Sequence, residues 1–159
     1  MNPRLSRGLI LLGLLLVAGG IDFAIYGKER IIRGGETIYL ELAPVDPRSL
    51  MQGDYMALRF RLADSIESWR QSGDRTRARR APLVVDARGV ASLADGDDAP
   101  LGMAFSLRGG RVWLGTNAYF FEEGTAGRYT GARYGEFRID PGSGEAVLVG
   151  LRDEGLNPL

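Results

Sequence analysis

The chain has 159 residues with 20 basic and 20 acidic side chains, so its formal net charge is zero and no overall field favours nucleic acid. It contains no cysteine and no histidine, which excludes disulfides, thiol nucleophiles, the usual zinc sites and histidine-based catalytic triads. Any chemistry would use carboxylates, tyrosine, serine, arginine or Lys28. We therefore expect no cofactor.

The N-terminal segment joins a short basic start to a long apolar run. Arg4 and Arg7 come first, residues 8–27 carry Asp22 as their charged side chain, and Lys28 follows. About 20 apolar residues form a helix of roughly 30 Å, which is enough to cross a bilayer. We therefore predict a transmembrane anchor. Its predicted anchor side chains are Leu9, Leu12, Leu15, Leu16, Ile21, Phe23 and Tyr26.

Cleavage is the alternative outcome for this segment. Ala18-Gly19-Gly20 supplies the small residues that precede a signal-peptide cut, here before Ile21. Asp22 is compatible with an anchor, because it lies near the outer end of the span, where water is close. A short N-terminus before a lone apolar segment normally stays in the cytoplasm. We expect residues 1–30 to form a cytoplasmic tip and anchor, and residues 31–159 to form one domain outside.

The domain is predicted to be mainly β. The 23 glycines of the chain are scattered without a period, which is typical of tight turns between short strands. Alternating side chains predict a strand at residues 36–42. Three hairpins are predicted, joining residues 83–85 to 90–93, 101–107 to 112–114, and 133–139 to 146–151. We expect a small antiparallel sandwich or a partly open barrel with one short helix.

The most amphipathic strand is predicted at residues 55–62. Four apolar side chains alternate there with other residues and are expected to face the core. They are Met56, Leu58, Phe60 and Leu62. A helix should follow, with Asp64 as its N-cap, Glu67 completing a capping box, and residues 72–73 at its end.

Two polar loops have compositions that are typical of ligand-binding loops. Residues 73–80 include Arg75, Arg77, Arg79 and Arg80. These arginines suit anionic lipid headgroups, but we favour a solvated loop. Residues 95–98 have the composition of a calcium loop, yet Ser106 stands where such a loop needs glutamate. We therefore predict a turn there, and no metal site.

The densest motif lies between residues 45 and 60. Gly53-Asp54-Tyr55, with Leu58 and Phe60 at the matching spacing, resembles the motif that names the bacterial GDYXXLXY family. Phe60 replaces the final tyrosine of that motif. Other resembling segments are Lys28-Glu29, Asp46-Pro47-Arg48-Ser49-Leu50, Phe120-Phe121-Glu122-Glu123-Gly124, residues 133–138 and residues 149–151. The resemblance spans nearly the whole chain and implies a membrane-anchored protein, without implying a particular chemistry.

Polar side chains around this motif form the candidate site. They are Asp46, Arg48, Asp54, Tyr55, Glu122 and Glu123. In one interpretation, Arg48 pairs with nearby carboxylates and locks a turn against the sheet. In the other, the cluster lines a polar cleft whose carboxylates do acid–base work or bind a ligand.

Two functions follow from these features. We expect an extracytoplasmic accessory module on the bacterial inner membrane, facing the periplasm. It would bind an envelope or membrane protein through the motif surface or a sheet edge. The alternative is a carboxylate-based small-ligand binder or enzyme. An exposed apolar patch would favour the first function, and a concave site with converging carboxylates the second.

Overall fold

The computed structural model describes residues 3–43, 51–52, 55–72, 75–96 and 99–159. Over these residues the chain forms a long N-terminal helix, a short second helix and eleven β-strands. The described strands pair in small antiparallel sheets and do not close into a barrel. The mainly β architecture predicted from the sequence is therefore confirmed.

The strands are short and are numbered along the chain. They are β1 Glu36–Glu41, β2 Met51–Gln52, β3 Tyr55–Ala57, β4 Arg80–Val85, β5 Ala91–Leu93, β6 Leu101–Ala104, β7 Ser106–Arg108, β8 Arg111–Trp113, β9 Ala118–Phe120, β10 Tyr134–Ile139 and β11 Ala146–Arg152. Their orders are β1-β10-β11, β2-β3-β9 and β5-β4-β6, with β7 and β8 as a separate hairpin.

Two of the three predicted hairpins are confirmed, β4 with β5 and β10 with β11. The middle one is wrong in part, because the predicted strand at residues 101–107 divides at Phe105. Its first half is β6, which pairs with β4, and its second half is β7, which pairs with β8. Phe105 is buried, and its N–H donates to the carbonyl of Arg79 at 3.0 Å. This bond holds the chain where it leaves one sheet for the next.

Strand β1 connects the three larger sheets. The N–H of Tyr39 donates to Gly89 O at 2.9 Å, next to β5, and the N–H of Ala43 donates to Arg59 O at 2.8 Å, after β3. The sheets and the second helix therefore enclose one core. Its most deeply buried side chains are Phe137, Ile38, Leu40, Ile66, Leu83, Met103, Ile139 and Leu151.

Helix α1, Pro3–Gly34, is 32 residues long. Within its span Gly8–Gly34, the most apolar stretch of 18 residues has a mean hydropathy of 2.3 and is not buried against the rest of the protein. All the side chains predicted for the anchor are exposed. A helix of this length and composition can cross a membrane and fits a single-pass anchor.

The end of α1 is part of the domain. The helix continues past residue 27 to Gly34, and its end contacts β10 and β11, where Ile31 is only 5% exposed. The N–H of Gly35 donates to Ile31 O at 2.8 Å. A Cβ at Gly35 would lie 2.6 Å from that oxygen and 2.9 Å from Ile139 O. A glycine at this position therefore allows the helix to pass directly into β1.

Helix α2, Arg61–Gln71, begins four residues earlier than predicted, so the capping box at Asp64 and Glu67 is wrong. Its N-cap is Phe60, which makes no side-chain capping bond. Asp64 instead accepts a hydrogen bond from Arg59 Nη2 at 2.8 Å, and Glu67 accepts one from the N–H of Val112 at 2.8 Å. The predicted end at residue 72 agrees with the C-cap.

The burial predicted for alternate residues between 56 and 62 is confirmed, although their secondary structure differs from the prediction. The predicted strand at residues 55–62 is wrong in part, because β3 ends at Ala57 and α2 begins at Arg61. Met56, Leu58, Phe60 and Leu62 are nevertheless all buried. The spacing of two residues keeps these side chains on the core side through the strand, the connection and the first helical turn.

Candidate functional site

The described part of the GDYXXLXY-like motif, residues 55–60, contributes side chains to the core more than to a candidate binding site. Phe60 is buried, and its ring meets that of Phe137 edge-on, with centroids 5.3 Å apart. Leu58 is also buried. The side chain at the position of the motif's last tyrosine therefore packs inside the domain. Asp46, Arg48 and Asp54 of the predicted cluster lie outside the described residues.

The described members of the predicted cluster lie at one end of the β3–β9 pair. Tyr55 is the register partner of Phe120, and their ring centroids are 5.7 Å apart. Glu122 and Glu123 follow β9 and are exposed. The carbonyl of Glu122 accepts hydrogen bonds from Thr125 N–H at 3.0 Å and from its hydroxyl at 2.6 Å. The backbone of Glu122 thus closes a turn, while both carboxylates face water.

The described part of the chain contains no set of side chains that could ligate a metal ion. Over those residues, no group of three or more aspartate or glutamate side chains lies close enough to hold an ion. A carboxylate-based metal site built on Glu122 and Glu123 would need further ligands.

A groove lies beside this end of the β3–β9 pair. We call it the anchor groove, because it reaches the end of α1. Its volume is about 480 Å³. Its described lining residues are Lys28, Gly115, Thr116, Ala118, Tyr119, Phe120, Ala146, Val147 and Leu148. The groove therefore runs between β9 and β11, with Lys28 of the anchor at one border.

Both walls of the anchor groove are sheet edges. β9 is the last strand in the order β2-β3-β9, and β11 is the last in β1-β10-β11. The C-terminal tail covers the far end of β11, where Leu159 N–H donates to Leu151 O at 3.2 Å and Pro158 bridges to Arg152. Among the described residues, 146–150 pair with β10 alone. An edge of this kind presents backbone groups to another strand.

The groove wall from β9 is aromatic and uncharged. The Phe120 side chain is 75% exposed. Tyr119 packs against Tyr129, with ring centroids 5.3 Å apart. Burial, and then the charge and hydrogen bond of Tyr129, raise the pKa of Tyr119 above its usual value. The phenol of Tyr119 therefore stays neutral at physiological pH.

A second concavity lies on the α2 side of the domain. We call it the arginine cleft, and its volume is about 280 Å³. Its charged lining residues are Arg59, Asp64, Glu67, Arg108 and Arg111. The hydrogen bond and charge of Asp64 raise the pKa of Arg59. The guanidinium of Arg108 lies 4.0 Å from the ring centroid of Trp113. Cations therefore outnumber carboxylates in this cleft.

Sequence reasoning did not predict either concavity. The residues of the arginine cleft come from α2 and from the β7–β8 hairpin, and those of the anchor groove come from α1, β9 and β11. Sequence reasoning also did not predict that the Phe120 ring is exposed. One signal in the sequence was usable: side chains alternate along a strand, so Tyr119 and Phe120 of β9 must point to opposite faces of the sheet.

The comparisons with known proteins agree with the motif. No curated protein and no solved structure matches the chain. The family described as GDYXXLXY protein matches residues 17–151, which include the second half of the anchor and nearly the whole domain. The match covers the paired strands that build the core and both walls of the anchor groove. The chain therefore belongs to the GDYXXLXY protein family.

Proposed function

We propose that the chain is a single-pass protein of the bacterial inner membrane, with its domain in the periplasm, and that it is an accessory module. In this proposal it binds an extended segment of another membrane or envelope protein. The observation that carries the proposal is the anchor groove, where two sheet edges and the exposed ring of Phe120 lie beside the end of α1.

The groove suits an extended peptide better than a compact ligand. Its walls are β9 and the 146–150 part of β11. The N–H and C=O of Ala118 in β9 already bond the Thr116 hydroxyl, so β11 is the edge that offers backbone hydrogen bonds to a partner strand. An added strand of about five residues would pair with one edge and place alternate side chains against the other wall. The apolar groups of Val147 and Leu148, with the aromatic wall of β9, favour apolar side chains in the partner.

The position of the groove favours a partner in the same membrane. A bilayer core of about 30 Å takes roughly 20 helical residues, so a span that starts at Gly8 ends near Lys28. Lys28 lines the groove and pairs with Glu145. The groove therefore opens at the membrane surface, where a segment next to another protein's transmembrane helix would meet it.

Photo-crosslinking in intact cells tests this function. A photoreactive phenylalanine analogue replaces Phe120 in the full chain, and the matched control replaces Leu107, which is exposed on the separate β7–β8 hairpin. We expect one defined protein adduct from position 120 and none of that size from position 107. Mass spectrometry should map the crosslinked partner peptide to a segment adjoining a transmembrane helix.

Two results would refute the proposal. The first is the same adducts from positions 120 and 107, since that would indicate collisions and not a site. The second is an adduct from position 120 that contains lipid and no protein.

The arginine cleft favours the alternative function, a small-ligand binder. Asp64 balances Arg59, and Glu67 is held by the N–H of Val112, so Arg108 and Arg111 keep their charge for an anion. Thermal unfolding of the full chain in detergent, with and without millimolar citrate, tests it. Stabilisation that disappears in Arg111→Gln and persists in Arg77→Gln supports this function, and equal behaviour of both variants contradicts it.

A further inference from the structure

The apolar part of α1 carries one charged side chain, Asp22. Residues 8–27 contain no other acidic or basic residue, and Asp22 is exposed on the helix. A span that starts at Gly8 ends near Lys28, so Asp22 lies about 9 Å inside the outer end of the span along the helix axis. The carboxylate is therefore below the membrane surface, where an unpaired charge is unfavourable.

The described residues provide no partner for this carboxylate. None of the side-chain hydrogen bonds or ion pairs among them involves Asp22. Lys28 is the nearest cation along α1, but its ammonium pairs with Glu145, and its position is about 120° round the helix axis from Asp22. The described part of the chain therefore leaves this charge unbalanced.

The helix face around Asp22 is open to another helix. Asp22 and the buried Ile31 are separated by about two and a half turns, so Asp22 points away from the face of α1 that packs on the domain. Ala18 and Gly19 lie one turn before Asp22 on the same side, and nothing lies within 4 Å of a Cβ built at Gly19. Small residues of this kind allow the backbone of a second transmembrane helix to approach closely. A side chain of that helix can therefore reach the carboxylate.

A second copy of this chain would not balance the charge. Two copies with the same orientation would place one Asp22 opposite the other at the same depth, and like charges repel. Residues 8–27 of the second copy supply no cation. Charge complementarity therefore requires a basic side chain from a different protein.

We propose that Asp22 pairs, inside the membrane, with a lysine or arginine in a transmembrane helix of another membrane protein. The basic residue lies at the depth of Asp22, about 9 Å inside the outer end of the span. Ionisable side chains within membranes pair with one another in this way. The inference rests on the single-pass anchoring proposed above. It is independent of the anchor groove, which Lys28 borders on another side of the helix.

Photo-crosslinking from inside the span, in intact cells, tests the pairing. A photoreactive phenylalanine analogue replaces the exposed Tyr26, which lies one turn after Asp22 on the same face, in the full chain. The matched control replaces Ala24, which lies at nearly the same depth on the opposite side of α1. We expect one defined protein adduct from position 26 and none of that size from position 24. Mass spectrometry should map the adduct to a transmembrane helix that contains a lysine or arginine.

Variants at Asp22 test the charge itself. Asp22→Leu should lower the yield of the adduct about tenfold, because it removes the carboxylate and keeps an apolar surface. Asp22→Glu is the matched variant that keeps a carboxylate, and its yield should stay close to that of the wild type. Replacing the basic residue of the crosslinked helix by leucine should lower the yield as much as Asp22→Leu does.

Four results would overturn the inference. Equal adducts from positions 26 and 24 would indicate collisions in the membrane. An unchanged yield in Asp22→Leu would show that the carboxylate is not recognised. A crosslinked helix without lysine or arginine would remove the ion pair. An adduct from position 26 with lipid alone would show that no helix covers Asp22.

Failure of the anchoring itself would be seen separately. Release of the wild-type chain from native membranes by alkaline carbonate would refute the anchor, and with it both proposals. A chain that resists extraction and crosslinks to protein from position 120, but not from position 26, would refute the pairing inside the membrane alone.

Discussion

Arg152 donates two hydrogen bonds to the same carboxylate oxygen of Glu136, at 2.8 Å from Nε and 2.5 Å from Nη2. The two residues lie on the paired strands β11 and β10, with side chains 20% and 11% exposed. Gly150 is the register partner of Glu136, and a Cβ there would lie 3.6 Å from Glu136 Oε2. This is an ordinary van der Waals distance, so Gly150 lies directly against the carboxylate.

Removing one member of this ion pair should destabilise the domain strongly. Glu136→Ala leaves the Arg152 guanidinium largely buried without its carboxylate, and we expect the free energy of unfolding to fall by about 3 kcal/mol. Chemical denaturation of the full chain in detergent measures this. The matched control is Asp64→Ala, which breaks the Arg59–Asp64 pair, whose side chains are 51% and 42% exposed. Its cost should stay below about 1 kcal/mol, and comparable losses in both variants would contradict the argument.

Gly135 should not tolerate a methyl group. A Cβ at this position would lie 2.8 Å from Phe60 Cε1 and 3.0 Å from Leu148 Cδ1. We expect Gly135→Ala to lower the melting temperature through a loss of about 1–3 kcal/mol, because rings and strands must shift. Gly131→Ala is the control, since nothing lies within 4 Å of its Cβ position. An unchanged melting temperature in Gly135→Ala would refute the close packing of Phe60 on β10.

The β10–β11 turn should contribute stability that depends on acid pH. Hydrogen bonds from the Ser143 hydroxyl and N–H, and from the Gly142 N–H, lower the pKa of Asp140 in the folded chain. The unfolded chain therefore binds more protons between that pKa and the usual value of about 3.9, and stability rises with pH in this window. The contribution is lost as pH falls through the folded pKa.

Ser143→Ala should bring the pKa of Asp140 back towards its ordinary value. An NMR titration of the Asp140 carboxyl carbon measures the shift directly. An unchanged pKa in this variant would show that the Ser143 hydroxyl is not the main cause.

The proposed orientation of the anchor predicts that the C-terminus lies in the periplasm. Green fluorescent protein fused after Leu159 should stay dark, because it folds poorly after export, and alkaline phosphatase at the same position should be active. Strong fluorescence with an inactive phosphatase would place the domain in the cytoplasm and refute the periplasmic assignment.

Local patterns predicted the fold where pairing partners are close in sequence. The β4–β5 and β10–β11 hairpins were found because a short turn joins alternating segments. The start of α2 was predicted wrongly. Asp64 is a residue type that favours the N-cap position, but its carboxylate accepts a hydrogen bond from Arg59 and does not cap the helix. The division of β6 from β7 was missed because it depends on a hydrogen bond between Phe105 and Arg79.

The candidate surfaces likewise depend on contacts between residues that are far apart in the sequence. The sequence grouped Tyr55 and Glu122 in one candidate cluster, but the exposed strand edge beside them could be located only from the strand orders of two sheets. One interpretation of the sequence placed a polar cleft around Asp46 and Asp54, which lie outside the described residues, and the charged cleft of the described residues lies between α2 and β8. No spacing in the sequence joins these elements.

The sequence by itself determined that histidine and cysteine chemistry is absent, where the apolar helix lies and that the alternate side chains of residues 56–62 face the core. These depend on residue type and on short periods, which act over a few neighbouring residues. Only the tertiary structure decided that Phe120 pairs with Tyr55, that Glu67 binds Val112 and that Arg80 closes on the turn at Gly142. Such contacts join residues far apart in the chain, and they form because burying one shared core brings the sheet edges together.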